Sequence, residues 1–180
     1  PGQHWTYVLP DVSTYDTPEY RQQHQTIMCH VAADIDEPTN YRQGTKSEYA
    51  AVWHNVAMLE VNNLNNLGTF TVIRSEVCRR LGLRPLRCKF VYKCKAGEDG
   101  TITRVRARMV ILGCQQRPGI DYDETHAPVA SAIAIRMIVA EAIAKGYHLE
   151  QLDVKSAYLY PEIDKLIFVI PPPCMALPPG

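Results

Sequence analysis

Two stretches of strict alternation, CKFVYKCK at 88–95 and TITRVRARMVIL at 101–112, flank the segment AGEDG at 96–100. Alternation with a period of two puts neighbouring side chains on opposite faces of a strand. A short acidic segment with Gly97 and Gly100 at its ends is a turn signal, so the spacing predicts a β-hairpin over 88–112. One face of that hairpin carries Lys89, Val91, Lys93 and Lys95 with Arg104, Arg106 and Arg108. The other carries Phe90, Tyr92 and Cys94 with Val105, Ala107 and Met109. With helices predicted before and after it, the hairpin makes the chain an α+β protein.

Patterning alone allows the cationic face to be a plain solvated strand surface. Its composition argues against that. Lys93, Lys95, Arg104, Arg106 and Arg108 lie on paired strands with hardly an acid between them. Like charges facing each other across strands are destabilising. An external polyanion explains the cluster better, and phosphate is the obvious one, because Arg and Lys bind it by charge and by geometry. The whole chain of 180 residues has a formal net charge of zero. Residues 1–73 hold three basic and eight acidic side chains, residues 74–117 twelve and three, and residues 118–180 four and eight. The excess is thus one local basic block between acidic flanks, the signature of a local anion site.

The remaining segments follow from local signals. Residues 1–36 are polar and weakly periodic and read as a linker or disordered arm. EPTNYRQGTKS at 37–47 is turn-like, and Ser47 is the expected cap of a helix running to about Leu67, closed by Gly68. Trp53, Ala57, Val61 and Leu64 share one face of it as a packing stripe. TFTVI at 69–73 reads as a short strand, and the arginine-rich stretch up to Arg87 as a loop. GIDYDETHAPVA at 119–130 is an irregular acidic connection. Ser131 caps the helix AIAIRMIVAEAIAK, which Lys145 and Gly146 close; apolar nearly all round, it is expected deep in the core. YHLEQLDVKSAYLY at 147–160 begins as a strand, and the chain finishes in a short strand with a Pro-rich tail. The six cysteines form no C-x-x-C pair and the histidines are scattered, which argues against zinc and for reduced thiols of an intracellular protein. No signal peptide and no apolar run of membrane-spanning length is present, so no membrane association is expected.

Asp153, inside the apolar rhythm of QLDVKSAYL at 151–159, is the remaining oddity. A buried carboxylate without a partner is costly, so Asp153 either lies at a wet strand end or meets a cation. EPTNYR, TF at 69–70, CKFVYKCKAGEDGTI, RARMVILG at 106–113, GIDYDETHAPVA, the helix after it and QLDVKSAYL resemble, in order and spacing over residues 37–175, the reverse transcriptase of copia-type LTR retrotransposons. The resemblance implies part of a right-hand polymerase fold: fingers over 37–130 with the basic hairpin, and the opening of the palm over 131–180. It implies nucleotidyl transfer with two Mg²⁺ ions, for which Asp153 would be the first catalytic and metal-binding carboxylate and the Val154 backbone carbonyl a second oxygen ligand. Tyr158 would floor the incoming sugar and exclude a 2′-hydroxyl. Lys93, Lys95, Arg106 and Arg108 would hold the nucleotide, with Lys89 and Arg104 on phosphate or nucleic acid. The implied partners are an RNA or DNA template–primer, a deoxynucleoside triphosphate and the rest of the Pol polyprotein, in the cytoplasm or a virus-like particle.

The sequence departs from the family pattern at several points. No Tyr-x-Asp-Asp motif occurs, and neither thumb nor RNase H region is present. Leu112 stands where Lys is usual, Cys114 and His126 where aromatics are usual, and Pro161 where Gly is usual. The expectation is therefore a fragment without catalysis of its own. The alternatives are a non-catalytic nucleic-acid-binding remnant that uses the hairpin, and a non-functional translated pseudogene product.

Overall fold

The structure is a computed structural model that describes residues 17–30, 32–125, 129–154 and 156–175. The first sixteen residues of the expected arm, His126 and the end of the Pro-rich tail lie outside them. The chain divides into two compact units. One comprises the residues up to Gln116 together with the stretch from Leu166; the other is Arg117–Lys165. The sequence reading puts its boundary at 130 instead.

The first unit is built around one long helix and one hairpin. Helix α1 (Pro18–Met28) replaces the described part of the expected linker. The Thr17 hydroxyl caps it by accepting from the Tyr20 N–H at 3.1 Å, and Pro18 occupies its first turn, where no N–H is needed. The arm misleads because its apolar residues are few. Ile27 is nevertheless fully buried, with Tyr20 and Met28 packed against the core. Asn40 caps the single-turn helix α2 (Tyr41–Gly44) inside the expected turn region. Helix α3 (Ala50–Asn66) starts three residues beyond Ser47, whose hydroxyl instead donates to the Gly44 carbonyl in the turn before it. Leu67 and the left-handed Gly68 end it where the sequence places the stop.

Trp53, Ala57, Val61 and Leu64 are all buried, as the packing stripe predicts. Trp53, Ala57 and Val61 meet the apolar face of the hairpin, strands β1 (Cys88–Ala96) and β2 (Ile102–Ile111), with α3 lying against β2. Trp53, 1% exposed, packs edge-on against Tyr92 with ring centroids 5.3 Å apart. Residues 69–73 form no ladder strand; only Val72 makes a bridge. The arginine stretch is not all loop either, since helix α4 (Ser75–Arg80) forms within it. Val169 bridges Leu86 in parallel, which ties the late segment to the start of β1.

The second unit holds helix α5 (Ala132–Lys145). Its ends are as predicted: the Ser131 hydroxyl accepts from the Ala134 N–H at 3.1 Å, and Gly146 closes it at φ +67°. Its burial is not. Ala142 alone is buried along the helix, while Ile133, Ile135, Met137, Ile138 and Ile143 are exposed. An all-round apolar helix needs partners on every side to become core, and the residues of its own unit supply almost none. The strand expected from 147 also fails to form; residues 147–154 are irregular. A strand exists only against a neighbour, and among the described residues no segment pairs with this one. Among the described residues no helix is long and apolar enough to cross a membrane.

The apolar surface of α5 is expected to drive self-association of the purified chain. Light scattering after size exclusion should show species above the monomer mass, shifted back toward monomer by Ile135→Lys with Ile138→Lys; a monomer at every concentration would show that α5 is covered in solution. A pH dependence is expected from His54, half-buried on α3, where the Tyr41 hydroxyl meets its Nδ1 at 2.7 Å. Burial lowers its pKa below the ordinary 6.5. The unfolded chain therefore takes up the proton first, and stability is lost as pH falls through the unfolded value toward the folded one. Melting temperatures from neutral pH to about pH 5 should decline, and less steeply in His54→Gln.

Candidate nucleic-acid interface

The hairpin register pairs Lys93 with Arg106, Lys95 with Arg104 and Val91 with Arg108. The predicted cationic side chains therefore do lie on one face, opposite buried Phe90, Tyr92, Val105 and Ala107. A register shift at Lys95/Ala96 leaves Thr103 as the extra residue beside the turn. In the turn the Asp99 carboxylate accepts from the Thr101 N–H at 3.0 Å and from its hydroxyl at 2.7 Å, which holds the Asp99 pKa below its usual value. Gly100 sits at φ +81°, a conformation that a Cβ disfavours.

Two carboxylates from outside the alternating stretches complete the hairpin. Glu37 accepts from the Cys94 N–H at 2.8 Å on the β1 edge and from Lys93 Nζ at 2.6 Å. Glu60, on α3, accepts from the Met109 N–H at 3.3 Å on the β2 edge. Each blunts an edge of the ribbon that would otherwise be free to pair with another chain. The expectation of a wholly unpaired cluster is thereby corrected: Glu37 forms an ion pair with Lys93 and raises its pKa. Burial raises the Glu60 pKa, against a smaller lowering by the Met109 hydrogen bond and the Arg108 charge. Among the described residues, no carboxylate forms an ion pair with Lys89, Lys95, Arg104, Arg106 or Arg108. Arg106, at the centre of the face, is half-buried, and its Nε is buried without a hydrogen-bond partner among them. No local pattern points to Glu37 or Glu60, because their contacts span 56 and 49 residues; only the place of Glu37 at the head of EPTNYR draws attention to it.

Thiols flank the inner face. Burial pushes Cys94 up to about 11 and Cys174 to about 12, and it raises Cys88, whose Sγ donates to the Ile170 carbonyl. At neutral pH they are protonated packing groups, neither nucleophiles nor metal ligands.

The other predicted residues lie in the second unit. Asp153 and Val154 are exposed on the irregular segment, so Asp153 does not lie on the strand expected from 147. Tyr158 is 91% exposed on a 3₁₀ turn, Ala157–Leu159, entered through a left-handed Ser156. A two-metal site needs several hard oxygen ligands in fixed geometry. Among the described residues no group of three or more His, Cys, Asp or Glu side chains could hold a metal ion. The described residues therefore do not by themselves fit a Mg²⁺ pair.

A mixed α+β chain with a cationic hairpin face opposite an apolar core defines a class: a module that presents ordered positive charge on one side of a packed hairpin. Residues 69–178, more than half of the chain, match the family described as reverse transcriptase (RNA-dependent DNA polymerase), and the chain belongs to that family. Its curated relatives include Pol polyproteins of copia-type transposons. It is 36% identical over 113 residues to the retrovirus-related Pol polyprotein from transposon TNT 1-94 of Nicotiana tabacum, covering 63% of this chain and 8% of that one. It is 29% identical over 137 residues to the corresponding polyprotein from transposon RE1 of Arabidopsis thaliana, covering 76% and 9%. It is 28% identical over 148 residues to the transposon Ty1-BL Gag-Pol polyprotein of Saccharomyces cerevisiae, covering 79% and 8%. The chain thus spans less than a tenth of the length of these relatives. No solved structure matches it.

The Glu37 pair yields a test of the face. Glu37→Gln keeps an acceptor for the Cys94 N–H but frees the Lys93 charge. Oligonucleotide affinity, read by fluorescence anisotropy, is expected to rise, with a salt slope steeper by about 0.7–0.9. An unchanged slope would take Lys93 out of the interface.

Proposed function

We propose that the chain is the fingers and opening palm portion of a copia-type reverse transcriptase with a right-hand polymerase fold, and that its hairpin receives phosphate groups. The observation that carries this reading is the shared, largely unpaired cationic face of Lys93, Lys95, Arg104, Arg106 and Arg108. Lys93, Lys95, Arg106 and Arg108 would grip an incoming deoxynucleoside triphosphate, with Lys89 and Arg104 on the template–primer backbone. Such contacts fix position and carry no base information. Membership in the Pol family supports the rest of the polyprotein as partner, and the cytoplasm or a virus-like particle as location.

Catalysis would need more than this chain contains. Asp153 and the Val154 carbonyl would be metal ligands only beside further carboxylates, and Tyr158 a sugar-excluding floor only within a closed nucleotide pocket. The exposure of Asp153 on an unpaired segment favours a second reading for the chain by itself: a nucleic-acid-binding module without polymerase activity.

Primer extension with Mg²⁺ or Mn²⁺ is expected to give no product from the purified chain; template-dependent product that Asp153→Asn abolishes would overturn that. The hairpin itself is tested by converting Arg104, Arg106 and Arg108 to Gln. The variant should bind oligonucleotides more weakly, with a salt slope flatter by about two to three.

A further inference from the structure

A second group of cations lies outside the predicted site. The segment 74–87 holds Arg74, Arg79, Arg80, Arg84 and Arg87, all exposed, against one acid, Glu76. Glu76 pairs with Arg79 at 2.9 Å and also feels the charge of Arg74. Among the described residues, no carboxylate forms an ion pair with Arg80, Arg84 or Arg87.

The segment is held as a folded clip rather than a loose loop. Helix α4 ends in a left-handed Gly82; the Leu83 N–H donates to the Cys78 carbonyl and the Gly82 N–H to the Arg79 carbonyl. This is the 6→1 and 5→2 pattern of a Schellman cap. Buried Cys78 closes the clip by donating Sγ–H to the Leu83 carbonyl at 2.8 Å. Buried Leu86 anchors its far end against Phe168 and Ile170.

A favourable interaction with the helix C-terminus accounts for Arg79 and Arg80 at most. Arg84 and Arg87 lie beyond the helix. Arg87 is also in phase with the hairpin. Its N–H donates to Gln115 Oε1 at 3.0 Å and its carbonyl accepts from the Leu112 N–H at 2.9 Å, so the chain is already running as a strand there. Leu86 is buried, and the period of two puts Arg87 on the outer face with Lys89, Lys93 and Lys95. The cationic stripe therefore does not end at Lys89. From Arg87 to Lys95 it covers about 26 Å at the rise of an extended strand, and Arg84 and Arg80 precede Arg87 by three and seven residues in the sequence.

We propose that the arginine clip, through Arg80, Arg84 and Arg87, is a second phosphate-contacting surface for a nucleic-acid strand, continuous with the hairpin face. A linear stripe suits a linear polyanion. All five cations of the clip are arginines, whose planar forks match phosphate bidentately, where a merely solubilising surface has no need of guanidinium. The clip's charge and order do not depend on the polymerase reading.

The test compares salt slopes of the whole chain on labelled oligothymidylate. Converting Arg80, Arg84 and Arg87 to Gln should flatten the slope by about two, at about 0.7 for each single-strand phosphate that is no longer neutralised. Converting Arg42, Lys46 and Arg136 to Gln removes equal charge elsewhere and should leave the slope nearly unchanged. If the two triple variants behave alike, the clip is ordinary solvated surface and the proposal fails. Where the clip triple does not fold, Arg84→Gln alone, outside helix and strand, should still cost about 0.7 of slope, and no change overturns the proposal. The hairpin variant measured in parallel separates the two readings: a flat response there with a clip response removes the hairpin function and leaves the clip, and the converse removes the clip.

Discussion

The edge-on contact of Trp53 with Tyr92 joins the two largest elements of the first unit, helix α3 and the hairpin. A two-stranded ribbon is marginal in water without something packed on one face. Helix α3 supplies it, and Phe90, Val105 and Ala107 close around the same contact. Everything the outer face can do follows from this. Once the inner face is buried, a one-residue slip of register would turn every cation inward, so the charges are locked outward by the core.

The hairpin was legible because its information is local. Strict alternation on both strands and a glycine-bracketed turn specify the pairing, and the observed register sets Lys93 against Arg106 and Lys95 against Arg104 as the alternation requires. The stripe on α3 and the caps of α5 at Ser131 and Gly146 are local in the same way. What was not legible depends on partners distant in the chain. Glu37 and Glu60 reach the ribbon edges across about fifty residues, and nothing in their own neighbourhoods announces it. Helix α1 was hidden for a related reason: a polar helix held by Ile27, Tyr20 and Met28 has too thin an apolar stripe to stand out from a linker.

The differences at α5 and at the strand expected from 147 share one cause. Apolarity says that a segment would gain by burial; it does not say that a partner is present. Helix α5 kept its caps, which are local, and lost its burial, which is not. Among the described residues the segment at 147–154 has no neighbouring strand and is irregular, which leaves Asp153 exposed.

Stability and charge pull against each other on the ribbon. Two like-charged cross-strand pairs, Lys93 with Arg106 and Lys95 with Arg104, each cost from a few tenths to about 1 kcal/mol. Burial of Phe90 on the reverse side contributes about 1.5–3 kcal/mol, comparable to that repulsion. Glu37 relieves part of it at Lys93 while leaving the other pair uncompensated. A bound polyanion would relieve the remainder, and a ligand that binds only the folded state stabilises that state by mass action. The same packing that makes the hairpin tolerate its charges therefore keeps those charges available, which is the physical sense in which the apolar face serves the cationic one.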